Sequence, residues 1–270
     1  MEDFFFLDHV SYFYPGNVKA LDNITLNIKK GGLFAIIGQN GSGKSTLLNL
    51  MNGLIYPASG KIFFDGSAIC EKSLQNKDFN KNFRSRVSYI FQNPDIQLFC
   101  PTVMDELLFG PLQMGIPYDM AMERAQQTLN FVGITELKGR QALMLSGGEK
   151  KKVAIASVLT MNPDVILIDE PIAGLDPKTQ TFFIELIIEL NKSGKTIIFS
   201  THHLDLIDHL QPTVAVLSED HTIQKTASAS DILNDEQFLI SVNLIHEHVH
   251  KHGNEVHGHF HSHYVFHKHE

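Results

Sequence analysis

Short apolar runs recur along most of the chain, with spacing that differs between regions. Over the first 65 residues they alternate with polar positions, as in the strands of an antiparallel sheet. Helical spacing follows around Thr102–Phe109 and Tyr118–Val132. Three runs of strand length predict strands, at Leu33–Ile37, Val87–Phe91 and Val165–Ile168, and the β-branched apolar run Val165–Ile168 is typical of a buried parallel strand. The pattern therefore predicts a mixed α/β chain.

Composition narrows the possible functions. The chain has 270 residues, of which 43% are apolar, enough for one or two domains with a sizeable core. Its apolar runs are far shorter than the roughly 18 residues that a bilayer span needs, and its first residues lack a secretory pattern. A net charge of −8 without a basic stripe argues against nucleic acid as a partner. We expect a cytoplasmic chain that meets the membrane through a protein partner.

A glycine-rich loop connects the strand that ends at Ile37 to a helical pattern. Its glycines let backbone N–H groups turn toward phosphate oxygens, while Lys44 supplies a positive charge and Ser45 a hydroxyl for Mg²⁺. The sequence therefore predicts a nucleotide phosphate site built from Gly38, Asn40, Gly41, Ser42, Gly43, Lys44, Ser45 and Thr46.

Two carboxylates end the apolar run Val165–Ile168. Carboxylates at the carboxyl end of a buried parallel strand face the ligand crevice of an α/β sheet. Asp169 is therefore predicted to orient Mg²⁺, and Glu170 to act as the general base that polarises the attacking water.

A third motif, Leu145-Ser-Gly-Gly-Glu149, precedes the amphipathic helical pattern Lys150–Leu159. With the two motifs above, it makes the chain similar to the ATPase subunits of ABC transporters. The resemblance covers about residues 4–225. It implies a P-loop NTPase with a RecA-like parallel-sheet core, an N-terminal antiparallel β subdomain and an α-helical insert at about 93–150. A helical extension is expected at 226–245.

The resemblance also assigns roles. Ser146, Gly147 and Gly148 would complete the ATP site of a second subunit in trans, so the chain would work as a homodimer or with a paralogous ATPase subunit. Gln92 would bind Mg²⁺ together with Ser45 and Asp169, and would couple the site to a membrane partner. The remaining implied contacts are Asp176 across the dimer interface and His202 to the γ-phosphate.

Two assignments near the site are less direct. The aromatic segment Tyr12-Phe-Tyr14 matches the position at which this family stacks a ring on adenine, and Tyr14 is preferred with Tyr12 as its competitor. His203 follows His202 where the family commonly has an acidic residue. Because adjacent residues at a helix start point in different directions, His203 is not expected to join a metal site.

Two further segments, Tyr89–Phe99 and Glu106–Pro111, resemble the energy-coupling-factor subgroup of the family. Members of this subgroup import vitamins, cobalt or nickel. The resemblance implies a transmembrane coupling subunit, whose helix enters a groove around Gln92 and Gln97, and a substrate-binding membrane subunit.

Ten of the fifteen histidines lie in residues 246–270. Imidazole ligands suit nickel, cobalt, copper and zinc, so the tail is predicted to bind a transition metal and to be disordered without it. Transport, storage and sensing of metal would all use this composition. The candidate ligands alternate with other residues, at His246, His248, His250, His252, His257, His259, His261 and His263.

These features favour an ATPase subunit of a nickel or cobalt importer. Vitamin uptake with an incidental tail would use the same motifs and is the nearest alternative. A soluble ABC ATPase outside transport is less favoured, because such relatives usually duplicate the cassette or insert long coiled coils. A protein that chiefly buffers metal would not need the complete set of nucleotide motifs.

Overall fold

The computed structural model describes residues 3–252 and 255–262. The strands are β1 (Asp3–Tyr14), β2 (Val18–Lys29), β3 (Leu33–Ile37), β4 (Ser59–Phe64), β5 (Ser67–Ala68), β6 (Val87–Ile90), β7 (Val165–Asp169), β8 (Thr196–Thr201), β9 (Thr213–Leu217), β10 (Ile223–Ser228), β11 (Ile245–His252) and β12 (Glu255–Ser262). The α-helices are α1 (Lys44–Met51), α2 (Glu71–Gln75), α3 (Lys77–Arg86), α4 (Val103–Gln113), α5 (Tyr118–Val132), α6 (Gly147–Leu159), α7 (Pro177–Lys192), α8 (Leu204–Leu210), α9 (Ala229–Leu233) and α10 (Glu236–Ser241). Within the described ranges, no helix is both long enough and apolar enough to cross a membrane.

An antiparallel sheet with strand order β2-β1-β4-β5 forms the N-terminal part of the fold. Buried and exposed positions alternate along most of β2, so one face of the sheet is apolar. That face packs in one core cluster with residues from α1 and β3, such as Leu47 and Ile36. The cluster therefore holds this sheet against the helix that follows the glycine-rich loop.

The second sheet has the order β10-β9-β3-β8-β7-β6 and is parallel from β9 to β6. Its inner strands β7 and β8 are buried along their whole length, in agreement with the apolar stretches Val165–Ile168 and Ile197–Phe199. Because β3, β8 and β7 are neighbours, their carboxyl ends meet at one edge of the sheet. The predicted α/β P-loop fold, with its antiparallel sheet and parallel core, is confirmed.

Three helices in sequence, α4, α5 and α6, pack together next to the parallel sheet. They share one core cluster, to which they contribute Leu107, Leu129 and Val153. The start of α4 is capped by Thr102, whose hydroxyl accepts a hydrogen bond from the Asp105 N–H at 3.2 Å. This packing fixes the direction of α6, which carries the Ser146–Glu149 motif at its start.

The C-terminal segment contains the last two strands. Its backbone forms an antiparallel hairpin of β11 and β12, in which His246 pairs with His261 and His248 with His259. The physical reason lies in the sequence, since residues with high strand propensity, such as Val249 and Phe260, recur between the histidines. His263 lies outside the described residues.

Candidate functional site

The glycine-rich loop joins β3 to α1 and is shaped by close backbone contacts. A Cβ atom at Gly38 would lie 2.3 Å from the carbonyl oxygen of Leu217, and one at Gly43 would lie 2.3 Å from that of Ala20. Gly43 also has φ +112°, which disfavours any side chain. These two positions therefore require glycine.

The ammonium group of Lys44 folds back over this loop. It donates to the carbonyl oxygens of Gly38 at 2.8 Å and Gln39 at 2.9 Å, and lies 4.0 Å from Glu170 Oε1. Burial lowers the pKa of Lys44, and the negative charges of Glu170 and Asp169 partly oppose that shift. The Lys44 ammonium group thus contacts the glycine-rich loop and lies beside the carboxylate of Glu170.

Asp169 and Glu170 lie at the carboxyl end of β7, as the sequence predicted. Tyr89 donates from its hydroxyl to Asp169 Oδ2 at 3.4 Å, and Ser200 donates to Asp169 Oδ1. Burial and the adjacent Asp169 raise the pKa of Tyr89, so its hydroxyl keeps the proton that it donates. Asp169 is therefore held in one orientation by two donors.

Glu170 is 4% exposed and has φ +48°, a strained value for a residue with a side chain. Its N–H donates to the Ser200 carbonyl at 3.2 Å and lies 3.1 Å from the Ser200 hydroxyl oxygen. Its Oε1 lies 2.7 Å from His202 Nδ1 and its Oε2 lies 3.4 Å from Thr201 Oγ1. Strand β8 and the residue that follows it thus fix both the backbone and the carboxylate of the predicted base.

His203 was expected to point away from His202, and that expectation is wrong. The two ring centroids are 4.2 Å apart with an angle of 34° between the planes. His203 caps α8 with extended backbone angles, φ −89° and ψ 106°, so the directions of helical side chains do not apply to it. Burial is the largest influence on the pKa of His203 and lowers it, which favours a neutral imidazole near pH 7.

A cavity of about 470 Å³ opens beside these groups. Tyr14 is 41% exposed at its wall, and its hydroxyl lies 2.9 Å from Thr46 Oγ1. Tyr12 instead packs edge-on against Tyr14 and against the core, and it does not appear among the described residues of the lining. The lining includes the predicted positions Tyr14, Asn40, Gly41, Gly43, Lys44, Ser45, Thr46, Gln92 and Glu170.

The same cavity includes a residue that the sequence analysis missed. His221, in the turn between β9 and β10, lies against the loop, with Nδ1 3.0 Å from the carbonyl oxygen of Ser42. The hydroxyl of Ser42 is buried and has no hydrogen-bond partner among the described residues. An unpaired buried hydroxyl inside the glycine-rich loop suits an additional ligand oxygen there.

The Ser146–Glu149 motif forms the start of α6. Ser146 and Glu149 make a capping box, in which the Ser146 N–H donates to Glu149 Oε2 at 2.8 Å. Asp176 caps the neighbouring helix α7, and a Cβ atom at Gly148 would lie 3.9 Å from its Oδ2. Among the described residues, the 470 Å³ cavity has no lining from Ser146, Gly147 or Gly148. The structure therefore groups Ser146–Gly148 with Asp176, separately from the glycine-rich loop.

Lys151, a residue of α6 without a predicted role, contacts the backbone beside Gln92 and Glu170. It is 1% exposed, and Nζ donates to the carbonyl oxygens of Phe91 at 3.4 Å, Gln92 at 3.1 Å and Glu170 at 3.2 Å. Burial lowers its pKa to about 8, although Asp169 and Glu170 oppose the shift. One side chain of α6 thus braces the backbone of both Gln92 and Glu170.

Replacing Lys151 with methionine is expected to lower the free energy of unfolding by about 2–4 kcal/mol, because buried carbonyl oxygens lose their donor. Glutamine retains an N–H₂ donor and should cost about 1 kcal/mol. Urea unfolding measures both, with the exposed Lys178→Met as control. Equal stability of the methionine variant and the unmodified chain would show that this brace is not needed.

The chain also matches known proteins. A family model described as ABC transporter matches residues 21–173. The chain is 42% identical over 244 residues to the nickel import ATP-binding protein NikO of Rhodobacter capsulatus, covering 89% of this chain and 95% of the relative. It is 38% identical over 238 residues to the energy-coupling factor transporter ATP-binding protein EcfA of Methanothermobacter thermautotrophicus, covering 88% and 75%.

A solved structure is similar over nearly the same length. It is cbiO1 from Clostridium perfringens, described as part of the ABC transporter complex cbiONQ. Its TM-score is 0.76 at 36% sequence identity, covering 90% of this chain and 96% of that one.

Proposed function

The chain belongs to the ABC transporter family as an ATP-binding subunit, and from that premise we propose that it energises a membrane importer of a divalent transition-metal ion, nickel or cobalt. Hydrolysis of ATP is the activity of this family. The observation that carries the metal assignment is the run of ten histidines in residues 246–270, behind the nucleotide site. The likeness to a nickel import ATP-binding protein supports the same assignment.

The proposed chemistry begins with Glu170, whose carboxylate takes a proton from the water that attacks the γ-phosphate. His202 lies 2.7 Å from this carboxylate and orients it, and it would contact the γ-phosphate. Lys44, 4.0 Å from Glu170, supplies positive charge beside the phosphates. Ser45, Gln92 and Asp169 would hold Mg²⁺, which supplies charge neutralisation at the phosphate oxygens.

The proposed working unit is a dimer, either of two copies or with a paralogous subunit. Ser146–Gly148 and Asp176 lie together apart from the glycine-rich loop, which supports a role against the nucleotide of a second subunit. The dimer would act at the cytoplasmic face of the cell membrane, bound to a transmembrane coupling subunit and a substrate-binding membrane subunit. Tyr14 is the proposed adenine-stacking ring, because it lines the cavity.

The tail is proposed to bind Ni²⁺ or Co²⁺ through its alternating histidines. The backbone pairing of His250 with His257, beside the two pairs described above, supports this proposal. Paired positions in an antiparallel ladder have Cα atoms only about 4.5–5.5 Å apart. Several histidine Cα positions therefore lie close to one another.

Uptake by cells that carry the chain together with its membrane subunits tests the cargo. Nickel and cobalt are measured by mass spectrometry and labelled vitamins by scintillation counting, with a chain that ends at Ile245 in parallel. We expect accumulation of nickel or cobalt and none of the vitamins. Accumulation of a vitamin without either metal would contradict the metal assignment. Unchanged metal uptake by the shortened chain would limit the tail to storage or sensing.

A further inference from the structure

We propose that Glu170, His202 and His203 form a binding site for a divalent transition-metal ion, distinct from the tail, and that occupation of this site inhibits ATP hydrolysis. Each of the three residues offers one ligand atom, and these atoms all lie within 4.8 Å of one another. The inhibitory consequence rests on the proposed role of Glu170 as general base. The existence of the site does not.

The spacing suits one ion after a small adjustment. A metal–nitrogen bond is about 2.1 Å long, so two ligands on opposite sides of one ion lie about 4.2 Å apart and ligands at smaller angles lie closer. All the ligand atoms here lie within 4.8 Å of one another, and His203 belongs to the short connection between β8 and α8, so only a small shift of the ligands is needed. Two histidines and a glutamate are an established three-ligand set for zinc.

The ligand types favour transition metals over Mg²⁺. Imidazole nitrogen suits zinc, copper, nickel and cobalt, whereas Mg²⁺ binds oxygen ligands and keeps several waters. Lys44 Nζ lies 4.0 Å from Glu170 Oε1 and opposes any cation, while Asp169 adjoins Glu170 in the chain and adds negative charge. Lys44 therefore weakens the binding of any cation, whereas the two imidazole ligands favour a transition metal over Mg²⁺.

Occupation of this site would remove the proposed base. A carboxylate oxygen bound to the metal no longer accepts a proton from water, and His202 would bind the metal in place of orienting Glu170. Hydrolysis would then fall as free metal ion rises on the side of the membrane where ATP is consumed. In an importer of such an ion, the imported metal would therefore slow its own further uptake.

His203 is the residue that separates inhibition from catalysis, because it has no role in the proposed reaction. Asparagine is well tolerated at the start of a helix, and the Thr201 hydroxyl accepts at 3.1 Å from the backbone N–H of residue 203. His203→Asn should therefore keep the local backbone while it removes one ligand. The control is His9→Asn, because His9 is exposed and lies far from His203 in the sequence.

The test uses the full-length chain with its ten tail histidines replaced by serine, so that nickel binding by the tail does not interfere. ATP hydrolysis is measured at saturating Mg²⁺ and ATP while NiCl₂ is increased. We expect nickel to inhibit the parent and the His9→Asn chain equally, and His203→Asn to need at least about tenfold more nickel for the same inhibition. Equal sensitivity of His203→Asn and the parent would overturn the proposed inhibition.

Equilibrium dialysis with NiCl₂ in the absence of nucleotide gives a second readout. We expect the parent to bind one nickel ion per chain that is lost in both His203→Asn and Glu170→Gln. Unchanged binding in both variants would overturn the site. Nickel binding without nucleotide does not depend on hydrolysis. The dialysis therefore tests the metal site, and the ATP turnover of Glu170→Gln tests the proposed function separately.

Discussion

Replacing Glu170 with glutamine is expected to lower the rate of ATP hydrolysis by about a hundredfold to ten-thousandfold, the range attributed to a general base. Glutamine has nearly the same shape and can still hydrogen bond with His202, which lies 2.7 Å from the carboxylate. The strained backbone at residue 170 is fixed by Ser200 and should not change. The substitution therefore removes proton acceptance with little other disturbance.

Binding and turnover must be measured separately for this variant. A fluorescent ATP analogue should bind Glu170→Gln with unchanged affinity, since Lys44 and the glycine-rich loop are intact. The exposed Glu185→Gln, on α7, is the matched control and should hydrolyse ATP at the normal rate. Normal hydrolysis by Glu170→Gln would remove Glu170 from the role of base.

A mixture of two inactive variants is expected to recover activity, if two copies of this chain complete each other's sites. Lys44→Met removes the charge beside the phosphates. Gly147→Val adds a side chain to the start of α6, and a Cβ atom there meets no other atom within 4 Å, so its own chain should fold. Each variant alone should lose at least about a hundredfold in turnover, as expected when contacts to developing charge are lost.

Mixed dimers contain one site with both defects and one intact site. In an equimolar mixture half of the dimers are mixed, so turnover per chain should reach up to about one quarter of the unmodified value. The control is a mixture of Lys44→Met with the double variant Lys44→Met/Gly147→Val, in which every site lacks Lys44. Recovery in the first mixture alone supports completion in trans. No recovery in either mixture would contradict a site shared between two copies.

Much of the fold could be predicted, because its strongest signals are local. The run Leu33–Ile37 became β3 and the helical pattern Tyr118–Val132 became α5, both with the predicted bounds. Element boundaries are harder to predict where capping residues and proline occur near a helix end. The predicted helix Thr102–Phe109 is α4, Val103–Gln113, because Thr102 acts as its cap and Pro111 is accommodated within the helix.

The site was predictable where motifs follow strands, and less so where contacts come from elsewhere. Sequence order places Asp169 and Glu170 after β7, but the donors from Ser200 and Tyr89 depend on strand pairing across the sheet. Lys151 follows Glu149 and Lys150 and resembles a surface lysine in the sequence, but it lies on the buried face of α6. A count of helical positions from Val158 back through Ala154 could have indicated that face.

His203 shows the limit of reasoning from helical geometry. The two histidine side chains were predicted to point in different directions, as at a helix start, whereas the backbone at residue 203 is extended. The position of its ring depends on the path between β8 and α8, which the sequence does not specify.

The measurement that most directly tests the central claim is nickel and cobalt accumulation in membrane vesicles that contain the membrane subunits and this chain, with ATP supplied on the side where the chain binds. We predict time-dependent accumulation with the unmodified chain and with Glu185→Gln. With Glu170→Gln it should fall to the level seen without ATP. Equal accumulation with Glu170→Gln, or no accumulation of either metal with the unmodified chain, would contradict ATP-driven import of these ions.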